Sequence, residues 1–249
     1  MDESPAPAPT RSFRVTFVTG VTPDKWANAW RRRLPDEPLV LVPVDEDEAR
    51  GVLRDDERVA MSFVRLPVDR DGLHVIPLYR EQPVVVVSRE HPVAAYDEIA
   101  VDDLADEHLL QDPDVVPEWR DLATEVRDGS RFPVPPMTTK QAVESVAADA
   151  GILILPMSVA RMHQRKDVRA VPVTGVAESQ IGLAWRVDDP DPRIETFVGI
   201  VRGRTERSSR GETSLPAAEP AAAKPTARRS KARTPKPRPR GASRRQRRR

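Results

Sequence analysis

Two stretches of this 249-residue chain set hydroxyl groups just ahead of apolar-striped segments. They are Thr22 in "GVTPDKWANAWRRRLP" and Thr138 with Thr139 in "TTKQAVESVAADAGILILP". A helix amino terminus carries unsatisfied N–H donors and the positive end of the helix dipole, so hydroxyls there suit a carboxylate or other oxyanion. Aimed at one cleft, the two termini would favour a small anionic metabolite; the competing role for both is ordinary N-capping. Arg65, in "SFVRLPVD", directly follows a strand-like run. Ligands gather where parallel strands end, and a guanidinium there can hold a carboxylate bidentately. Its competing role is a salt bridge in a chain that is 32% charged.

Other side chains point away from catalysis. Trp26 and Trp30 are one helical turn apart on an apolar stripe, a spacing that favours core packing over an aromatic ligand wall. His74, His91, His108 and His163 are scattered without metal-ligand spacing. No H-x-x-x-H, G-x-S-x-G or phosphate-loop pattern occurs, so neither an enzymatic activity nor a cofactor or metal is predicted.

Alternating strand and helix patterns must position these groups. "FRVTFV" (Phe13–Val18) predicts a strand and Thr22 the N-cap of a helix with Pro23 at its first position, ended by Leu34–Pro35. "PLVLVPV" predicts a second strand, Glu46–Arg54 a short helix and "VAMSFV" (Val59–Val64) a third strand. This β-α-β-α-β order argues for a parallel sheet with helices on its faces. Two extended runs follow, "LHVIPLY" and "QPVVVVS", then a strand around His108–Gln111 and a helix over Val116–Val126. Thr138 with Gln141 has the spacing of a capping box, Gly151 suits the C′ position, and "ILIL" reads as a buried strand. A short helix near Ser158–His163, strands "VRAVPV" and "IGLAWR", and a helix from about Arg193 to Arg204 complete the body. The pattern describes two α/β lobes between which the chain crosses and returns, with a ligand cleft at their interface.

Charge divides the chain differently. From Arg207 to Arg249 there are 15 Lys and Arg against Glu212 and Glu219, a net +13, whereas the remainder carries a net −12. The basic segment has six prolines and no aromatic residue, a composition that predicts disorder when free; the same holds for a Pro/Ala leader over residues 1–12. Arg228, Arg229, Lys231, Arg233, Lys236, Arg238, Arg240, Arg244, Arg245, Arg247, Arg248 and Arg249 are the candidate contacts to DNA or RNA, through charge-driven and salt-sensitive binding. A solubilising tail without a dedicated partner is the alternative. The chain has no cysteine, no secretory signal pattern and no apolar run approaching the roughly 18 residues of a membrane span, so a cytoplasmic protein with no membrane contact is expected.

"QPVVVVSREHPVA", followed by "DEIAVDDLADEHLL", "TTKQAVESVAADAGILILPMSVA" and "IGLAWR", resembles in order and spacing the effector-binding domain of LysR-type transcriptional regulators. Val93 stands where that family usually has Leu in His-Pro-Leu-Ala. The likeness covers roughly residues 13–205. It implies an α/β, type 2 periplasmic-binding-protein-like fold of two subdomains with an interlobe cleft, here followed by the basic tail over 206–249. Lobe I would hold about 13–82 and 182–205, and lobe II about 83–181. The family's inducers, often small organic anions, meet hydroxyls after the first strand and at the start of the second lobe's long helix. Carried over, those places hold Thr19, Thr22, Thr138 and Thr139, with Arg65 near the hinge. The resemblance also implies a homodimer or higher homo-oligomer. Only twelve residues precede the first strand, so the family's amino-terminal helix-turn-helix is expected to be lacking.

The leading expectation is a small-molecule sensor in transcriptional control, with DNA contact through the tail or a partner. Three alternatives stay open: a stand-alone solute-binding protein of the same fold, an enzyme on that scaffold, and a non-specific nucleic-acid-binding protein whose body only oligomerises.

Overall fold

The computed structural model describes residues 12–203. The predicted basic tail lies outside the described residues, as does the leader except for Ser12. Strands β1 (Phe13–Val18), β2 (Leu39–Val44) and β3 (Val59–Leu66) pair in parallel with β1 in the centre. Their connections are α1 (Asp24–Arg33) and α2 (Glu46–Asp55), the right number of residues to climb back along the sheet. Strand β4 (Leu73–Glu81) and a strand from late in the chain, β9 (Ser179–Arg186), complete a five-stranded sheet of order β2-β1-β3-β9-β4. Strand β9 is antiparallel to both of its neighbours.

Only Gln82 separates β4 from β5 (Pro83–Ser88), which begins the second sheet. There β6 (Ile99–Ala100), β7 (Leu153–Pro156) and β8 (Val168–Thr174) join it in the order β6-β8-β5-β7. The Val-rich run of β5 is buried on both faces. Val84 and Val86 pack with Ala142, Val143 and Val146 on one side, and Val85 and Val87 with Leu104 and Trp119 on the other. A continuous apolar strand is what two covered faces require. The chain returns to the first sheet between β8 and β9.

The first lobe's core is aromatic. Phe13 stacks on Trp30 at 4.8 Å and Trp26 on Phe63 at 4.7 Å, while Phe197 of the final helix α7 (Arg193–Val201) tilts against Phe13, Trp30 and Phe63. Such pairs add about 0.5–1.5 kcal/mol each beyond the area they bury. Trp30 Nε1 donates to the Glu37 carbonyl at 2.9 Å, so its one polar atom is satisfied. Both tryptophans thus serve the core, although Trp26 also borders the cavity described below.

Several local expectations shift. Helix α1 begins at Asp24 with Pro23 in the cap position and no side-chain cap. The Pro23 carbonyl accepts from the Trp26 and Ala27 N–H groups at 3.0 Å, which leaves Thr22 a residue too early to reach the free donors. The helix predicted over Val116–Val126 is two single turns, α3 (Pro117–Arg120) and α4 (Thr124–Arg127). Tertiary bonds break it: Thr124 N donates to the Ala105 carbonyl at 2.8 Å and Trp119 Nε1 to the Leu104 carbonyl at 2.9 Å.

The strand predicted at His108–Gln111 contracts to one parallel bridge between Leu109 and Ile152. Beyond it the Gln111 side chain imitates a strand. Its amide donates to the Ile154 carbonyl at 3.1 Å and accepts from the Ile154 N–H at 3.0 Å.

Helix α5 (Thr139–Ala147) has the predicted capping box, with Gln141 N donating to Thr138 Oγ1 and Thr138 N to Gln141 Oε1. Its left-handed terminal residue is Asp149 (φ 60°) rather than Gly151. Gly151 is required for a different reason: a β-carbon there would lie 2.4 Å from the His108 carbonyl oxygen. Helix α6 (Met157–Met162) follows β7 directly. Helix α7 stops short of the predicted Arg204 because Gly203 takes a positive φ of 72°.

Candidate functional site

A cavity of about 540 Å³ lies where the two sheets' elements meet at the first crossing. Its walls come from three places. The loop after β1 and the start of α1 supply Gly20, Thr22, Asp24, Lys25 and Trp26. The end of β4 and the crossing residue supply Tyr79, Arg80, Glu81 and Gln82. The start of α6 supplies Met157, Ser158 and Arg161.

Gly20 and α6 close one side. The Gly20 N–H donates to Met162 Sδ at 3.0 Å, and a β-carbon on Gly20 would stand 2.3 Å from Ser158 Oγ. Gly20 also holds φ at +95°, so it is the one residue type that fits both constraints.

Glu81 anchors the other side. Its side chain is 4% exposed, and its Oε2 accepts from Arg65 Nη2 at 2.8 Å and from Ser179 Oγ at 3.2 Å. Its second oxygen, Oε1, is buried without a hydrogen-bond partner, as is Ser158 Oγ of another lining residue. Tyr79 sits beside this carboxylate. Burial, and then the Glu81 charge, push its phenol up to about 12, so it stays protonated at neutral pH. The cavity mixes charges: Asp24 and Glu81 against Lys25, Arg80 and Arg161. Arg80 pairs with Glu178 at 3.6 Å and the Lys25 ammonium lies 4.4 Å from the Trp26 ring centre, while Arg161 has no ion-pair partner among the described residues.

The structure scatters the five hydroxyl and guanidinium positions singled out above. Thr22 is exposed on the rim of the cavity. Thr19 is half-buried, and its carbonyl accepts from Arg65 Nη2 at 3.3 Å. Arg65 is largely buried behind the cavity, bound to Glu46 through Nη1 and to Glu81 through Nη2, with Nε unpartnered. Thr138 spends its hydroxyl in the capping box. Thr139 borders a separate hollow of about 600 Å³ in the second lobe, lined also by Gln111, Arg131, Met137 and Leu155. The basic residues from Arg228 to Arg249 lie outside the described residues.

Sequence reasoning missed Glu81, Tyr79 and Ser158. The available signal was the position of "LYREQP", charged and polar residues packed against the point where the chain passes between sheets. The histidines stay apart, with His91 against Glu107 at 3.2 Å and His108 against Glu125 at 2.6 Å. Among the described residues no cluster of His, Asp or Glu is placed to hold a metal ion, and no helix is long and apolar enough to cross a membrane.

Comparison with known proteins gives one family match and three structural likenesses. A family model described as LysR substrate binding domain matches residues 8–206. The reduced OxyR regulatory domain from Pseudomonas aeruginosa superposes with a TM-score of 0.60 at 21% identity, covering 78% of this chain and 98% of that one. The BenM effector-binding domain with its effector benzoate gives 0.59 at 20% identity, over 81% and 95%. Full-length BenM matches at 0.60 and 20% identity, covering 80% of this chain and 68% of that one.

Proposed function

This chain belongs to the LysR substrate-binding-domain family, and from that premise we propose that its interlobe cavity senses a small metabolite bearing an anionic group. Sensing serves transcriptional control in the cytoplasm, with the protein acting as a homodimer or higher homo-oligomer. The observation that carries the reading is the cavity itself. It lies between elements of both lobes, and three cations, Lys25, Arg80 and Arg161, outnumber its two carboxylates. Its volume is that of a small-molecule site. Thr22 and the first turn of α1 stand at its rim, where N–H donors reinforce the preference for an oxyanion.

The basic tail has a separate role in this reading. Its 15 cations bring the acidic body to nucleic acid by releasing counterions, without reading sequence. Discrimination among promoters then comes from a partner regulator or from the ligand-dependent state of the body.

The test is a thermal-shift screen of small carboxylates and phosphates on the full chain. A ligand at about 100 times its Kd stabilises the folded state by about 2.7 kcal/mol. A reproducible rise in Tm that Arg161→Ala weakens supports the reading. A broad metabolite panel without any shift overturns it.

A further inference from the structure

The cavity holds a feature that a simple anion does not satisfy. Glu81 lines the cavity and is buried, with one carboxylate oxygen held by Arg65 and Ser179 and the other, Oε1, buried without a donor. Ser158 Oγ, also buried and unpartnered, lines the same cavity. Buried polar atoms in folded proteins are nearly always paired, and an orphaned carboxylate oxygen calls for a donor, best a charged one. A ligand offering only carboxylate oxygens would meet Glu81 as a like charge. The cations that suit a carboxylate come from other elements, Lys25 on α1 and Arg161 on α6.

We propose that the ligand is a zwitterion of the amino-acid type, with its ammonium group on Glu81 Oε1 and Ser158 Oγ and its carboxylate toward Lys25 and Arg161. The proposal rests on the sensing reading and adds a second charge to it. Arg65 then has a positioning role. It occupies Glu81 Oε2 together with Ser179, which leaves Oε1 as the oxygen without a donor. Tyr79, held neutral by burial and by Glu81, contributes a hydroxyl without competing for the ligand's carboxylate by charge. Trp26 and Met157 give the remaining wall an apolar surface, which suits a hydrocarbon side chain over a third charged group.

The experiment is calorimetric titration of the full chain with each of the common free L-amino acids. Every binder is compared with its N-acetyl derivative and with the 2-hydroxy acid of the same side chain. At least one free amino acid is expected to bind about tenfold or more tightly than both analogues. Glu81→Gln is expected to erase that preference, and Ser158→Ala to reduce it several-fold. If Glu81→Gln does not fold, the analogue series on the unaltered chain and Ser158→Ala decide the matter. Hydroxy acids that bind as well as amino acids overturn the zwitterion while leaving an anion sensor. Amino-acid binding that neither substitution alters overturns the assigned site. Absence of binding by amino acids, hydroxy acids and the wider carboxylate panel overturns the sensing reading as well.

Discussion

Gly20 and Ser158 meet at one side of the cavity so closely that a β-carbon on Gly20 would lie 2.3 Å from the serine hydroxyl oxygen. The contact joins the loop after β1 to helix α6, one element from each lobe. Gly20→Ala adds both that overlap and a strained positive φ, for a stability loss of about 1–3 kcal/mol. Ser158→Gly in the same chain removes the overlap but not the backbone strain, so it restores only part of the loss. A double-mutant cycle by urea denaturation measures the division, and strict additivity would show that the two residues do not touch in solution.

Arg65 is bound to Glu81 in a pair that is almost wholly sequestered, with side-chain exposures of 10% and 4%. Removing one partner of such a pair strands a buried charge. Arg65→Met is therefore expected to cost about 3–5 kcal/mol in chemical denaturation, whereas Arg65→Met with Glu81→Leu recovers most of it. An Arg65→Met chain as stable as the parent would mean that Glu81 finds water or another donor.

The first lobe was legible in the sequence because its β-α-β-α-β pattern is local, and each strand and helix announces itself by its own periodicity. What escaped depends on partners distant in sequence. Thr22, Thr138 and Thr139 stand near helix starts and Thr19 comes from the family resemblance; spacing alone does not show that the Thr138 hydroxyl enters a capping box or that the Thr19 carbonyl accepts from Arg65. In sequence Glu81 is one of 39 Asp and Glu residues, with no spacing that marks it. Its meaning arises only when Arg65, Ser179 and the cavity converge on it. The break between α3 and α4 was hidden for the same reason, since it is made by bonds to Leu104 and Ala105.

Gln111 extends a sheet with its side chain, exchanging two hydrogen bonds with the Ile154 backbone. Gln111→Leu keeps the bulk but orphans a strand N–H and a carbonyl beside it. The expected loss is about 1–3 kcal/mol in urea denaturation, with faster amide exchange at Ile154. Gln111→Glu retains the acceptor and loses the donor, so it falls between the two.

Tyr79 makes alkaline stability a readout of the cavity's polarity. Its folded-state pKa of about 12 exceeds the ordinary phenol value of about 10. The folded state therefore holds the proton more tightly, and the contribution is fully present below about pH 10 and lost as pH rises toward 12. The tyrosinate absorbance lost in Tyr79→Phe should titrate near 12, and that variant should be less sensitive to pH across this window. Titration of the difference signal near 10 would place Tyr79 in water, away from Glu81.

The basic segment predicts a salt dependence that the body cannot produce. The body carries a net −12 and repels a polyanion, while residues 207–249 carry a net +13. If roughly half of the segment's 15 cations meet phosphates, duplex-DNA affinity falls by about 10³-fold or more between about 50 and 200 mM salt. Because the attraction is to phosphate, the slope should be the same on unrelated sequences. Deleting residues 207–249 should abolish it, as read by fluorescence anisotropy across a salt series. Equal binding by the shortened chain would move the nucleic-acid contact onto the body and remove the tail from the proposed function.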